Sequence, residues 1–135
     1  MSAQGKSNGE GAKRLFGAWR YVGAKVDGKP ISGPHGIIYY DPSGHMSVQV
    51  APDVVRGKAG SVATPEEARA AIDGYIAYFG TYSIDEQAQT VTHHRQASIQ
   101  PGDVADLVRG YEIAGDRLIL RPLGSTREVI WERIK

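Results

Sequence analysis

GIIYYDPSGHMSVQV, residues 36–50, carries the reading on which the fold turns. A short run rich in Ile and Tyr meets Asp41-Pro42-Ser43-Gly44, a type I turn with proline at its second position, and the chain then returns. In the returning arm Met46, Val48 and Val50 alternate with Ser47 and Gln49, the period of two that a half-buried strand requires. An antiparallel hairpin follows. Ser47 and Gln49, opposite the apolar set, either line a cavity or face water.

The same texture extends in both directions. Upstream, LFGAWRYVGAKV (15–26) is a long strand ended by Asp27-Gly28 and Pro30. Downstream, GTYSID (80–85), TVTHHRQASIQ (90–100), DLVRGYEIAG (106–115), RLILRPL (117–123) and REVIWERIK (127–135) are strand-like runs separated by turn residues. One segment breaks the rhythm. Thr64-Pro65-Glu66-Glu67 has a capping threonine, a proline at the first helical position and acids in the first turn, with the Thr-x-x-Glu spacing of a capping box. Ala68, Ala71, Ile72, Tyr75, Ile76 and Phe79 then fall on one helical face, which predicts a helix ending near Gly80.

The sum is an all-β chain of eight antiparallel strands, with one helix between the third and fourth. Consecutive strands with short connections close most simply into an up-and-down barrel, which removes the edge strands. A barrel of this size is filled with side chains or holds one small ligand. The helix would cover one mouth or an outer seam.

Composition bounds the chemistry. At 135 residues the chain is one domain, and it has no cysteine for disulfides, thiolate catalysis or Cys-based metal sites. The first fourteen residues are small, polar and Gly-rich, which predicts a flexible tail or an expression remnant at 1–14, ahead of a barrel domain at 15–135. They lack the apolar core of a secretory signal, and no run is long enough to span a bilayer, so a cytoplasmic location without a membrane partner is expected. The net charge of +1 is spread without a basic stripe, which argues against nucleic acid. Oligomeric state stays open, a homodimer included.

These segments resemble the lipocalin-like domain family of bacteria and fungi, within the wider calycins. Gly17-Ala18-Trp19 is the G-x-W of those barrels, and Arg133 is the kind of arginine they lay across that tryptophan. The similar pieces are LFGAWR (15–20), GIIYYDPSGHMSVQV (36–50), AYFGTYSID (77–85), VTHH (91–94), VRGYEIAGDRLIL (108–120) and IWERI (130–134), in order along the whole body. The resemblance implies a barrel with an internal pocket and no single activity. It assigns Trp19 and Arg133 to closure of the barrel base.

Candidate site residues come from strand parity. His93 and His94 are neighbours on a strand, so they point to opposite faces and cannot share a metal or a substrate atom. Alternation alone leaves open which faces inward; the V-x-H pattern of the resemblance turns Val91 and His93 to the interior. His35 and His45 sit in or beside turns, and no ligand spacing suggests a metal. Arg109 alternates with Leu107, Tyr111 and Ile113. If inward, it would bind a carboxylate or enolate oxygen; otherwise it pairs with Asp85 or Glu112 or faces water. Tyr39, Tyr78, Tyr82 and Tyr111 offer aromatic bodies with polar handles, suited to a ring-shaped ligand.

Two functional readings result, neither with a cofactor. The first is binding of a small hydrophobic or aromatic molecule inside the barrel, contacted by Tyr39, Ser47, Gln49, Tyr78, Tyr82, His93, Arg109 and Tyr111. The second is a cofactor-independent isomerase, cyclase or lyase acting on a small polyketide-like or aromatic metabolite. There His93 is the acid/base, and Arg109 or a tyrosine stabilises the oxyanion. A purely structural or protein-binding role has no distinct patch to support it.

Overall fold

The computed structural model describes residues 10–31, 35–54 and 56–135. Nine strands follow one another: β1 (Gly17–Val26), β2 (Lys29–Ile31), β3 (His35–Tyr40), β4 (His45–Ala51), β5 (Ile76–Asp85), β6 (Thr90–Ser98), β7 (Leu107–Ala114), β8 (Arg117–Pro122) and β9 (Glu128–Arg133). Eight of them form an antiparallel barrel, because β1 pairs with β3 on one edge and with β9 on the other. The ninth is β2, absent from the eight-strand expectation. It folds back on the far half of β1 through Asp27 and Gly28, whose φ values of 52° and 77° suit a two-residue hairpin turn of the I′ kind.

The 36–50 hairpin forms as its alternation requires. Tyr40 lies opposite Met46 and Ile38 opposite Val48, all inward, while Tyr39 faces Ser47 and Ile37 faces Gln49 on the outer wall. Inward residues from every wall meet in one core, with Trp19, Ile38, Tyr40, Val91 and Leu118 almost wholly buried.

Trp19 closes one end. Its indole nitrogen donates to the Leu15 carbonyl at 2.9 Å, and the Arg133 guanidinium lies 4.1 Å from its ring centroid. Arg133 also donates to the carbonyls of Phe16 (2.8 Å) and Arg14 (2.6 Å), so one side chain ties the last strand to the chain entering the first. That entering segment corrects the expected tail. Residues 10–13 form a short helix, α1 (Glu10–Lys13), whose Ala12 is fully buried beside Leu15 in the core cluster. The rest of the expected tail, residues 1–9, lies outside the described residues.

The second helix, α2 (Pro65–Ile72), starts as its sequence predicts. The Thr64 hydroxyl accepts from the Glu67 amide at 3.1 Å, and the Glu67 carboxylate accepts from the Thr64 amide at 2.9 Å. The latter bond is the main reason the Glu67 carboxyl is held below its ordinary range. Its end is a correction. The helix stops at Ile72, Gly74 takes a φ of 74°, and Ile76 to Phe79 belong to β5. Asp73-Gly74 is the stop signal that the helical spacing of Tyr75, Ile76 and Phe79 concealed. None of the α2 residues is buried, so the expected apolar helix face is not part of the core.

Gly80 is therefore not a helix terminus but a mid-strand residue. A Cβ there would collide with the His94 carbonyl oxygen. Next to it the register slips: Phe79 faces Ala97 and Gly80 faces Arg95, so Gln96 is an extra residue in β6. Among the described residues no helix is long and apolar enough to cross a membrane.

Candidate functional site

Away from the Trp19 end the barrel is hollow. A cavity of about 520 Å³ opens between the start of β5, the β6–β7 connection and the β8–β9 end. Its walls are mainly apolar and aromatic, including Ile38, Val48, Val50, Leu107, Leu120 and Trp131. The last of these is buried edge-to-face against Tyr21 (centroids 5.4 Å apart), and its indole nitrogen has no acceptor among the described residues.

Three sequence-predicted residues line this cavity together: Tyr78, His93 and Arg109. His93 is only 1% exposed and stands between two phenols. Its Nε2 is 2.6 Å from the Tyr40 hydroxyl and its Nδ1 is 2.7 Å from the Tyr78 hydroxyl. Burial, reinforced by the nearby Arg109 and Arg95 guanidiniums, lowers the imidazole pKa to about 3, so it is neutral near pH 7. Burial likewise pushes the Tyr40 and Tyr78 hydroxyls up, which keeps both protonated.

Arg109 follows β7 parity inward with Leu107, which lies opposite His93 across the β6–β7 pair. Among the described residues its one hydrogen bond is a long 3.4 Å contact to the carbonyl of the preceding Val108. Neither Asp85 nor Glu112 pairs with it; the Glu112 carboxylate bonds Arg121 instead. Arg95 also reaches the cavity, but its charge is paired. It donates to the Ala105 carbonyl (2.7 Å) and to Asp103 (2.9 Å), and its guanidinium sits 5.4 Å from the Tyr78 ring centroid. Arg127 lies at the rim with no carboxylate partner among the described residues.

Five expected contacts lie elsewhere. Tyr39, Ser47 and Gln49 are on the outer wall, because hairpin parity gives the interior to Tyr40, Met46, Val48 and Val50. Tyr39 bonds Asp41 at 3.3 Å, and Gln49 accepts from Tyr75 at 3.0 Å. Tyr82 and Tyr111 do point inward but pack in the core without lining the cavity. Tyr82 donates to the Asp41 carbonyl at 2.6 Å and meets the Tyr40 ring edge-on.

Tyr40, Arg95, Arg127 and Trp131 are the site residues that sequence reasoning passed over. Tyr40 was legible, since the parity that sets Ser47 opposite the apolar face sets Tyr40 upon it. Arg95 shares the parity of His93. The bulge at Gln96 then brings Ser98 and Gln100 into the wall, which unbroken alternation from His93 would have turned outward.

His94 faces out. Its Nε2 is 2.9 Å from the Ser83 hydroxyl and its Nδ1 is 3.0 Å from the Asp106 carboxylate. That is the bonding order of a hydrolytic triad, yet none of the three residues borders the cavity. The Asp41–Ser43–His45 cluster is likewise a turn: Ser43 bonds both the Asp41 carboxylate and His45 Nδ1, so the acid grips the hydroxyl rather than the imidazole. Among the described residues no group of three His, Asp or Glu side chains gathers to hold a metal.

The comparisons with known proteins bear on the whole barrel. The sequence model of the lipocalin-like domain family matches residues 16–134. No curated protein matches in sequence. Among solved structures, the chain is similar to a point mutant of the fluorescent protein UnaG, at 13% identity and a TM-score of 0.40, over 92% of this chain and 99% of that one.

Proposed function

The chain belongs to the lipocalin-like domain family, and from that premise we propose that its barrel binds one small hydrophobic or aromatic molecule in the interior. The observation that carries this reading is the cavity itself: about 520 Å³, open at one end, and lined mainly by apolar and aromatic side chains with a few polar groups among them. That volume is within the range of pockets for drug-sized ligands, and a few polar groups among apolar walls suit orientation of such a ligand. Tyr78 and Arg109 are the groups that would touch it. His93, almost wholly buried in the same wall, bonds Tyr78 and positions it.

The catalytic alternative draws less support from His93. Both of its ring nitrogens are taken by tyrosines, and burial holds its pKa at about 3, far below that of an effective base near pH 7. A proton reaching the cavity from this cluster would have to come through the Tyr78 hydroxyl.

Titration with the neutral fluorophore N-phenyl-1-naphthylamine tests the reading, with Trp131 in the wall as a second reporter. One molecule should bind per chain, with dye brightening and a change in tryptophan emission. Leu107→Trp, which fills the cavity from a half-buried wall position, should abolish the saturable signal. Absence of saturable binding, or binding indifferent to Leu107→Trp, overturns the proposal.

A further inference from the structure

The direction of the hydrogen bonds around His93 says what kind of atom the cavity awaits. Tyr40 is wholly buried, and among the described residues the one acceptor its hydroxyl meets is His93 Nε2, at 2.6 Å. A buried hydroxyl proton without an acceptor is costly, so Tyr40 donates to Nε2. A neutral imidazole carries one proton, which must then be on Nδ1. Nδ1–H in turn donates to the Tyr78 oxygen at 2.7 Å. Tyr78 thereby has an acceptor role filled and its own proton uncommitted, at a residue that lines the cavity.

Arg109 adds donors of the same sense. Its side chain lines the same cavity, and its one hydrogen-bond partner among the described residues is the marginal contact to Val108. A guanidinium has five N–H donors and no acceptor. The inner polar end thus offers the Tyr78 O–H, the Arg109 N–H groups and a positive charge that no carboxylate meets among the described residues, while Asp103, the one carboxylate among the described lining residues, is engaged by Arg95. A neutral apolar ligand would leave that charge unpaired and those donors unsatisfied.

Resting on the ligand-binding reading above, we propose that the cavity selects a largely apolar, flat molecule bearing an anionic oxygen, a carboxylate or an enolate, which accepts from Tyr78 and pairs with Arg109. Charge-assisted donors to an anion are the stronger class of hydrogen bond, and a guanidinium suits two oxygens or one delocalised over a conjugated system. His93 contributes as a positioning residue. It sets the direction of the Tyr40–His93–Tyr78 chain, with both of its ring nitrogens already bonded.

Two dyes with one skeleton test this. N-phenyl-1-naphthylamine is neutral, and 8-anilino-1-naphthalenesulfonate is the same molecule with an anionic group. The sulfonate should bind about tenfold tighter or better, the scale of one charge-assisted contact. Arg109→Gln should erase that preference by weakening the sulfonate, and Tyr78→Phe should reduce it in part. Equal affinity of the two dyes overturns the anion proposal and leaves cavity binding standing. So does a preference that survives Arg109→Gln. If neither dye gives saturable binding that Leu107→Trp removes, the cavity reading itself fails and the anion proposal fails with it. Imidazole ¹⁵N shifts supply a check that needs no ligand: the proton belongs on Nδ1, and a proton on Nε2 overturns the assigned direction.

Discussion

The two ends of the barrel each bring an arginine to the interior, and they use it in opposite ways. At the closed end Arg133 lies over Trp19 and donates to the carbonyls of Phe16 and Arg14. At the hollow end Arg109 has, among the described residues, one marginal hydrogen bond to its neighbour's carbonyl. Both are partly buried arginines on strands with apolar neighbours. What separates a structural from a functional guanidinium here is therefore the partners it has found, rather than its residue type or its strand.

The largest effect should fall at the closed end. Trp19→Ala removes the side chain around which α1, Leu15 and Arg133 assemble, and should destabilise the fold by about 3–5 kcal/mol in urea unfolding. A loss below about 1 kcal/mol would mean that the plug is not what closes the base.

The next effect belongs to the hollow end and depends on pH. The unfolded His93 takes up a proton near its ordinary 6.5, whereas the folded one resists until about 3. The unfolded chain thus binds more protons across that window. The His93 contribution to stability is complete above 6.5 and is lost as pH falls toward 3, at up to about 1.4 kcal/mol per pH unit. His93→Gln, which does not titrate, should flatten that slope in urea melts from neutral pH to about 4.5. An unchanged slope would place the acid sensitivity elsewhere.

A direct contrast of the arginines sharpens the comparison further. Arg133→Gln strands the Phe16 and Arg14 carbonyls and should cost about 2 kcal/mol. Arg109→Gln should leave the stability of the empty protein within about 0.5 kcal/mol, because few protein contacts are lost. Equal costs would erase the distinction between the two ends.

The smallest effect concerns α2. Thr64→Ala should weaken the helix by about 1 kcal/mol locally, seen as faster exchange of the Glu67 and Ala68 amides. Global unfolding should not move, since the helix buries no residue.

Particular residues show how far a one-dimensional reading reaches. Chain-local features were legible: the Asp41–Gly44 turn, the Thr64 capping box, the Asp27-Gly28 turn that ends the first strand, and the opposed faces of His93 and His94. The misreadings share a different character. Ile76 and Phe79 fit a helical period as well as a strand period, and only pairing with β4 and β6 decides between them. Gly80 reads as a terminator until another strand's carbonyl is seen against it. Tyr39 and Tyr40 are alike in composition, and the hairpin register sends one to the outer wall and the other to His93.

The sequence by itself determined the order of strands, the turns between them and therefore the barrel, because turn chemistry and period-two burial are properties of neighbouring residues. It also determined which residues carry charge or a titratable ring. Only the tertiary structure decided what those residues do. Arg133 finds two carbonyls and a tryptophan, His93 is held neutral between Tyr40 and Tyr78, and Arg109 is left facing an open cavity. Partners that set a charge's environment come from distant strands, and their distances exist only once the sheet has closed.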